Sequence, residues 1–255
     1  MEADHLPPNH DRVVTERRPS KDFANLIEKF WFAPENISCG QKDYEILPDG
    51  NFDLLFLLKD SCCKLLFAGP YTKRTCITMS NDYDCFGIRF RPGKMPRVAD
   101  VQAVDLADAM IVPSRILGMD IDTLGEQLYP LKGIDSKQAF LEDVFRKAGL
   151  KCIARGGLGS RSAELIESCG GQIKVNDLAR LFGVSRRTME RVFLAEAGVS
   201  PKAFIRCVRF QNVITKMRSG RYHSLAELAY DCGYADQSHF IKDYKQLSGR
   251  LPGCP

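Results

Sequence analysis

The 255-residue chain has no long apolar run: the longest strongly apolar stretch, Leu54 to Leu58, is far short of the roughly 20 residues that cross a bilayer. Its start, Met1-Glu2-Ala3-Asp4, carries no basic segment followed by an apolar one, so no secretory leader and a reducing, cytoplasmic setting are expected. The ten cysteines then read as thiols rather than as a disulfide framework, and no Cys-x-x-Cys spacing occurs among them. Histidine is scarce. Only His5 and His10 precede Arg155, which argues against a His-built metal site there, and no metal or cofactor is expected. Excess charge is small too, at +4, but it is unevenly spread. Ser160 to Pro255 carries 15 Lys and Arg against 9 Asp and Glu, and the residues before it carry 21 against 23. A basic end beside a faintly acidic remainder is what a nucleic-acid-binding module joined to a non-binding domain displays.

What is present is an ordinary globular balance, 44% hydrophobic and 27% charged, in a chain longer than one usual domain. Residues 1–20 are polar, contain Pro7-Pro8 and read as a loose tail. Residues 21–153 read as a β-rich domain with helices. Tyr44–Leu47, Phe52–Leu58, Lys64–Ala68, Cys76–Ser80 and Asp84–Phe90 are short apolar or alternating runs, separated by turn chemistry such as Pro48-Asp49-Gly50-Asn51 and Gly69-Pro70. From Val98 to Lys147 the period becomes helical, clearest at Phe140, Leu141, Val144 and Phe145 behind a cap expected at Asp135 with Gln138 three residues on. Three glycines in Ala154 to Ser160 suggest a hinge over 154–160, leaving 161–255 as the second domain. The fold class expected is α+β, a small antiparallel sandwich or barrel with helices, followed by an all-α domain.

Within that second domain the sequence repeats itself. Asp177-Leu178-Ala179 followed by Gly183 recurs as Glu227-Leu228-Ala229 followed by Gly233, with one extra residue in the second turn. Each copy continues through an aromatic, a glycine and a proline: Phe193, Gly198, Pro201 and Tyr244, Gly249, Pro252. Leu-Ala ends a short helix with a small residue where a second helix must cross closely, and glycine permits the sharp turn. Ser185 and Asp236 stand where the next helices need caps, and Ser224 with Glu227 spells a capping box. Helix, glycine turn, capped helix is a helix-turn-helix pattern, here twice, with a linker helix opened by Ser200-Pro201 and running to about Arg218. At about 100° per residue, Met189, Val192 and Phe193 share one side of the first capped helix and Arg187 and Arg191 the other, with Arg186 and Glu190 on a flank. In the second, Phe240 and Tyr244 face inward; Ser238 and Lys242 face out beside Gln237 and His239, with Asp236 and Asp243 nearby. Alone, an Arg pair on an amphipathic helix is a solvated face; the repeat changes that reading.

Residues 175–252 resemble the DNA-binding domain of the AraC/XylS family of regulators. The resemblance rests on Asp177-Leu178-Ala179, Gly183-Val184-Ser185, Arg191-Val192-Phe193, Gly198-Val199-Ser200-Pro201, Arg209, Leu228-Ala229, Gly233-Tyr234, Ser238-His239-Phe240, Tyr244-Lys245 and Gly249. It implies double-stranded DNA as partner, with Arg186, Arg187, Glu190 and Arg191 in one major groove and Gln237, Ser238, His239 and Lys242 in the next. It also implies RNA polymerase as a partner, and a small-molecule effector or a second copy of the chain acting on the N-terminal domain. The chain departs from the family at Leu251, where Ser or Thr is common. The stretch from Tyr44 to Gly50 and on to Phe90-Arg91-Pro92-Gly93 more weakly resembles the sensory domain joined to some members.

Competing readings concern the N-terminal domain. Arg89 and Arg91 fit either an anion site or a strand-end ion pair. Cys39, Cys62, Cys63, Cys76 and Cys85 fit either core thiols or, in a thiol-based DNA-repair or redox-responsive protein built on the same module, a reactive centre. A module that has lost DNA binding is a third reading, which the retained Arg pair argues against.

Overall fold

The computed structural model describes residues 14–34, 41–60, 62–80, 82–95, 101–113, 115–150, 156–220 and 222–253. Strands come first: β1 (Thr15–Arg17), β2 (Ile27–Ala33), β3 (Gln41–Ile46), β4 (Asp53–Lys59), β5 (Cys62–Ala68), β6 (Thr75–Ser80) and β7 (Asp84–Phe90). Each of the five expected runs falls on one of them, with Leu47 and Phe52 lying one residue outside β3 and β4. A 3₁₀ turn (Ala103–Leu106), β8 (Met110–Ile111), β9 (Arg115–Ile116) and β10 (Met119–Asp120) lead into α1 (Ile121–Leu128) and α2 (Gly133–Lys147). One antiparallel sheet has the order β1-β2-β7-β4-β5-β8, and β3 pairs with β6 as a separate two-stranded sheet.

The run Leu54 to Leu58 is continuous because both faces of β4 are covered. Leu54, Phe56 and Leu58 point toward a core shared with Leu124 and Leu128 of α1 and Leu141 and Phe145 of α2. Leu55 and Leu57 point the other way, into a cluster with Trp31, Tyr71 and Cys85 against which Ile46 of β3 packs. The domain is thus a layered α+β sandwich, with helices on one face of the main sheet and the β3–β6 strand pair on the other.

Three expectations shift. The tail expected over 1–20 gives way at Thr15, because β1 pairs with β2 and is pinned by Glu16 to Lys29 (2.6 Å) and by Arg17 to Asp135 (2.7 Å); residues 1–13 lie outside those described. Asp135 is therefore not the cap of α2: the helix starts at Gly133, and the Asp135 carboxylate is engaged by Arg17. The hinge expected over 154–160 ends early. Gly157 caps α3 (Leu158–Ser168), whose first turn contains Ser160, while residues 151–155 lie outside those described.

Arg89 resolves in favour of the structural ion pair. Its buried guanidinium meets Asp53 through two bonds of 3.0 and 2.7 Å and approaches Asp49 to 2.8 Å, and Arg91 donates to the Ala24 carbonyl. Buried Lys137 donates to the Leu128 and Leu131 carbonyls at the end of α1; loss of water around it pushes its pKa down.

The second domain continues through α4 (Val175–Leu181), α5 (Arg186–Ala197), α6 (Pro201–Arg218), α7 (Leu225–Asp231) and α8 (Gln237–Ser248). Ala163, Ile166, Leu178, Met189, Phe193 and Phe204 form the core of a first unit, α3 to α5 with the start of α6. Val213, Leu228, Cys232, Tyr234 and Phe240 form that of a second, the end of α6 with α7 and α8.

Replacing Arg89 by Leu strands the largely enclosed carboxylates of Asp49 and Asp53 and should cost about 3–5 kcal/mol. Replacing Arg17 by Leu, whose ion pair with Asp135 is solvated, should cost no more than about 1 kcal/mol. Urea titrations followed by the emission of Trp31, the single tryptophan and a core residue of this domain, read both.

Candidate nucleic-acid interface

Two helix pairs close by the same device. After α4 the chain passes through Gly183 at φ +66°, and the Val184 amide returns to the Ala179 carbonyl at 3.0 Å. After α7 it passes through Gly233 at φ +76°, and the Tyr234 amide returns to the Ala229 carbonyl at 3.0 Å. Any Cβ at these left-handed positions would be strained, which is why both turns need glycine. Ser185 then caps α5 by accepting from the Thr188 amide at 3.1 Å, and Asp236 caps α8 by accepting from the His239 amide at 2.7 Å. Ser224 caps α7, and Glu227 accepts from His223 rather than from the Ser224 amide of a strict capping box.

Each capped helix is anchored by one fully buried face. On α5, Met189 and Phe193 are buried, and Phe193 meets Phe204 with ring centroids 5.4 Å apart. Opposite them Arg187 and Arg191 are exposed, and Arg186 is exposed on the flank. Glu190 is half-buried and accepts from Arg186 Nε at 2.8 Å, so it steadies Arg186. On α8, Phe240 is buried, and Gln237, Ser238, His239 and Lys242 are exposed in the N-terminal half. The His239 ring stands edge-on to Tyr234 at 5.4 Å, which limits its rotation. All eight residues picked from the sequence thus sit on two anchored helices, seven of them exposed.

Asp243 does not belong to the outward face of α8. It is buried and accepts from Arg206 Nε of α6 at 2.8 Å and from the Tyr234 hydroxyl at 3.3 Å. Arg206 was missed by pattern reasoning because its partner is 37 residues away. Arg209, one of the residues behind the resemblance, is also structural: it donates to the Gly171 carbonyl at 2.9 Å and lies 5.1 Å from the centre of the Tyr234 ring. Asn212 donates to Gly170, and Gln172 to the Asp231 carbonyl at 2.9 Å. These contacts tie the turn between α3 and α4 to α6 and α7, so the two units are braced to each other directly as well as through α6.

The core-thiol expectation holds for Cys63 and Cys85 but not for Cys62 and Cys76, which are exposed. Burial pushes Cys63 and Cys207 up to about 12 and raises Cys232, so none of the three ionises readily at neutral pH. Cys85 is buried too, Cys62 and Cys76 are exposed, and Cys39 lies outside the described residues. Among the described residues no group of three or more His, Cys, Asp or Glu side chains is placed to hold a metal ion, and no helix is long and apolar enough to cross a membrane.

Residues 178–254 match a family described as a helix-turn-helix domain, and residues 15–112 match a domain of unknown function (DUF6597). The XylDLEGF operon transcriptional activator of Pseudomonas putida is 28% identical over 88 residues, 34% of this chain and 27% of the activator. The virulence regulon transcriptional activator VirF of Yersinia enterocolitica is 29% identical over 79 residues, 31% of this chain and 29% of VirF. The matches therefore span less than a third of these relatives' length. Among solved structures, ToxT from Vibrio cholerae aligns over 84% of this chain and 96% of its own at 14% identity and a TM-score of 0.41. The C-terminal domain of AraT from Geobacillus stearothermophilus aligns over 37% and 79% at 22% identity and a TM-score of 0.36.

Removing the cap hydroxyl by Ser185→Ala should lower the stability of the second domain by about 1 kcal/mol, within a range of roughly 0.5–2. A thermal melt followed by helical circular dichroism measures it, and no change would remove Ser185 from the account of how α5 is held. Brief alkylation of the native chain at neutral pH should label Cys62 and Cys76 well before Cys63 and Cys207. A fast-reacting Cys63 or Cys207 would revive the thiol-chemistry reading.

Proposed function

We propose that the chain, whose residues 178–254 match a helix-turn-helix family and resemble the AraC/XylS type, is a sequence-specific transcriptional regulator reading two adjacent major grooves. The observation that carries the proposal is the duplicated geometry: two glycine turns closed by the same amide-to-alanine bond, each presenting a capped helix with one buried and one exposed face. An 18-residue α6 is about 27 Å long at roughly 1.5 Å per residue, close to the ~34 Å between successive major-groove faces on one side of a duplex. Side chains held near its two ends are thus spaced to serve one double helix.

The two faces have different chemistry. Arg186, Arg187 and Arg191 supply forks that pair with guanine edges or phosphates, and Glu190 keeps Arg186 in place. Gln237 and Ser238 supply neutral hydrogen-bonding groups and His239 a hydrogen-bonding ring, with Lys242 beside them as an ammonium. The N-terminal domain governs this module in the cytoplasm, through a small molecule or through self-association. RNA polymerase is the partner that a transcriptional activator's role implies.

Selection of bound duplexes from random DNA by the whole chain is the test. Arg187→Ala and Arg191→Ala should each weaken binding to the selected duplex by about 1–3 kcal/mol and relax its base preference at one position. Affinity should fall steeply between 50 and 200 mM salt, by about a thousandfold if around six phosphates are neutralised. Selection of no sequence, or binding indifferent to both variants, would sink the proposal.

A further inference from the structure

The N-terminal domain touches the DNA-binding domain at three stations along its length. At the first unit, Ser160 Oγ donates to the Gly93 carbonyl at 2.6 Å and Lys94 pairs with Glu164 at 2.7 Å. Along α6, the Phe204 ring lies against Gly50, Cys207 Sγ lies 3.7 Å from the Tyr71 carbonyl, and Gln211 donates to the Pro48 carbonyl at 2.7 Å. At the second unit, the contact is with the end of α8. The Arg74 amide donates to the Leu247 carbonyl at 3.0 Å, and Leu47 packs with Phe210, Ile214 and Leu247.

That last station has an ionic centre. Glu45 of β3 accepts from Arg74 Nε of its own domain at 2.7 Å and from the Arg250 guanidinium just beyond α8. The hydrogen bond from Arg74 and the charge of Arg250 hold the Glu45 carboxyl below the usual glutamate range, against the opposing effect of partial burial. Without that carboxylate two guanidinium groups would converge with nothing between them, and the contact would become repulsive. The Leu247 carbonyl is one of the last-turn acceptors that a helix cannot satisfy internally, so the end of α8 is completed by backbone from the other domain.

We propose that Glu45 is a positioning residue for the second reading unit: through Arg250 it fixes the pitch of α8, which makes the N-terminal domain a splint for DNA reading as well as a sensor. The inference rests on the proposed function, because it assumes that Gln237 to Lys242 meet DNA. The docked contacts lie at the C-terminal end of α8 and leave those residues exposed, so the docked state is the binding-competent one. Glu45 belongs to the separate β3–β6 strand pair, opposite Cys76 in register, rather than to the six-stranded sheet. Displacing that strand pair therefore removes the outer support of α8 while Ser160 and Lys94 keep the first unit anchored.

The test uses the full chain, a selected duplex of about 20 base pairs, and the same duplex scrambled in the half whose base preference depends on Gln237 and Lys242. Glu45→Gln should weaken binding to the intact duplex about three- to tenfold and leave binding to the half-scrambled duplex unchanged. Trp31 emission and the protection of Cys207 from alkylation should stay as in the wild type. Glu45→Gln combined with Arg250→Gln should lose no more than either change alone. Equal binding by Glu45→Gln and wild type on the intact duplex, equal loss on both duplexes, or tighter binding overturns the inference. Additive losses in the double variant also overturn it, by assigning Arg250 to a phosphate. Should Cys207 lose protection in Glu45→Gln, Arg250→Gln alone is read on the same two duplexes with the same expected outcome. A wild-type chain that selects no DNA refutes the proposed function instead, so the two failures are distinct.

Discussion

The second domain depends on the burial of α6 on three sides at once. Phe204 and Ile205 complete the core of the first unit, Val213 that of the second, and Cys207, Phe210 and Ile214 face the N-terminal domain or lie beside it. A helix packed on three sides cannot shift toward one partner without opening a gap against another, because side chains packed at interior density have no slack to take up the motion. Its polar residues are committed as well: Arg206 to Asp243, Arg209 to Gly171, Asn212 to Gly170 and Lys216 to Asp231. The separation of the two exposed faces is therefore a property of the packed interior, and α5 and α8 inherit it.

Much of this was legible in the sequence, and for identifiable reasons. The glycine turns, the caps at Ser185, Ser200, Ser224 and Asp236 and the buried faces of α5 and α8 are local features, fixed by residues three to five positions apart. The strands β3 to β7 were legible because turn residues bracket each run. What escaped was set at a distance. β2 slipped past because its pairing with β7 shifts register between Ile27 and Lys29, which breaks the two-residue alternation that marks a strand. β1 escaped because three residues make a strand only when a neighbour is already in place. Asp135 carries the right chemistry for a cap, but Arg17, on another element, claims it.

The glycine run before α3 illustrates how one residue type supports two opposite readings. Glycines 156, 157 and 159 looked like a hinge, yet the last two let Glu196 of α5 lie close against the helix start; a Cβ at Gly157 would come within 2.3 Å of its carboxylate. That carboxylate accepts from the Ser160 amide at 3.0 Å, placing negative charge at the positive end of α3. The glycines there serve close approach, so the described part of the junction is a packed joint. Asp243 is the complementary case. Its position on α8 allowed an outward orientation, and only Arg206 and Tyr234, from other elements, turn it into a buried strut.

Drawing Asp243 inward also settles the electrostatics of the second face. An acidic side chain beside Lys242 would offset its charge and repel phosphate, but Arg206 neutralises that carboxylate within the fold. Lys242 is then left as the cation among Gln237, Ser238 and His239, against three arginines on α5. Phosphate attraction depends on charge and carries no sequence information, whereas neutral donors and acceptors discriminate between bases while adding little long-range pull. On the proposed function, α5 thus supplies most of the affinity and α8 a larger share of the discrimination. Discrimination of that kind tolerates little misplacement, because a neutral hydrogen bond is lost within a few tenths of an ångström whereas a charge acts over several. The unit needing the tighter positioning is the one held twice, by Asp243 on Arg206 within the domain and by Arg250 on Glu45 across the interface.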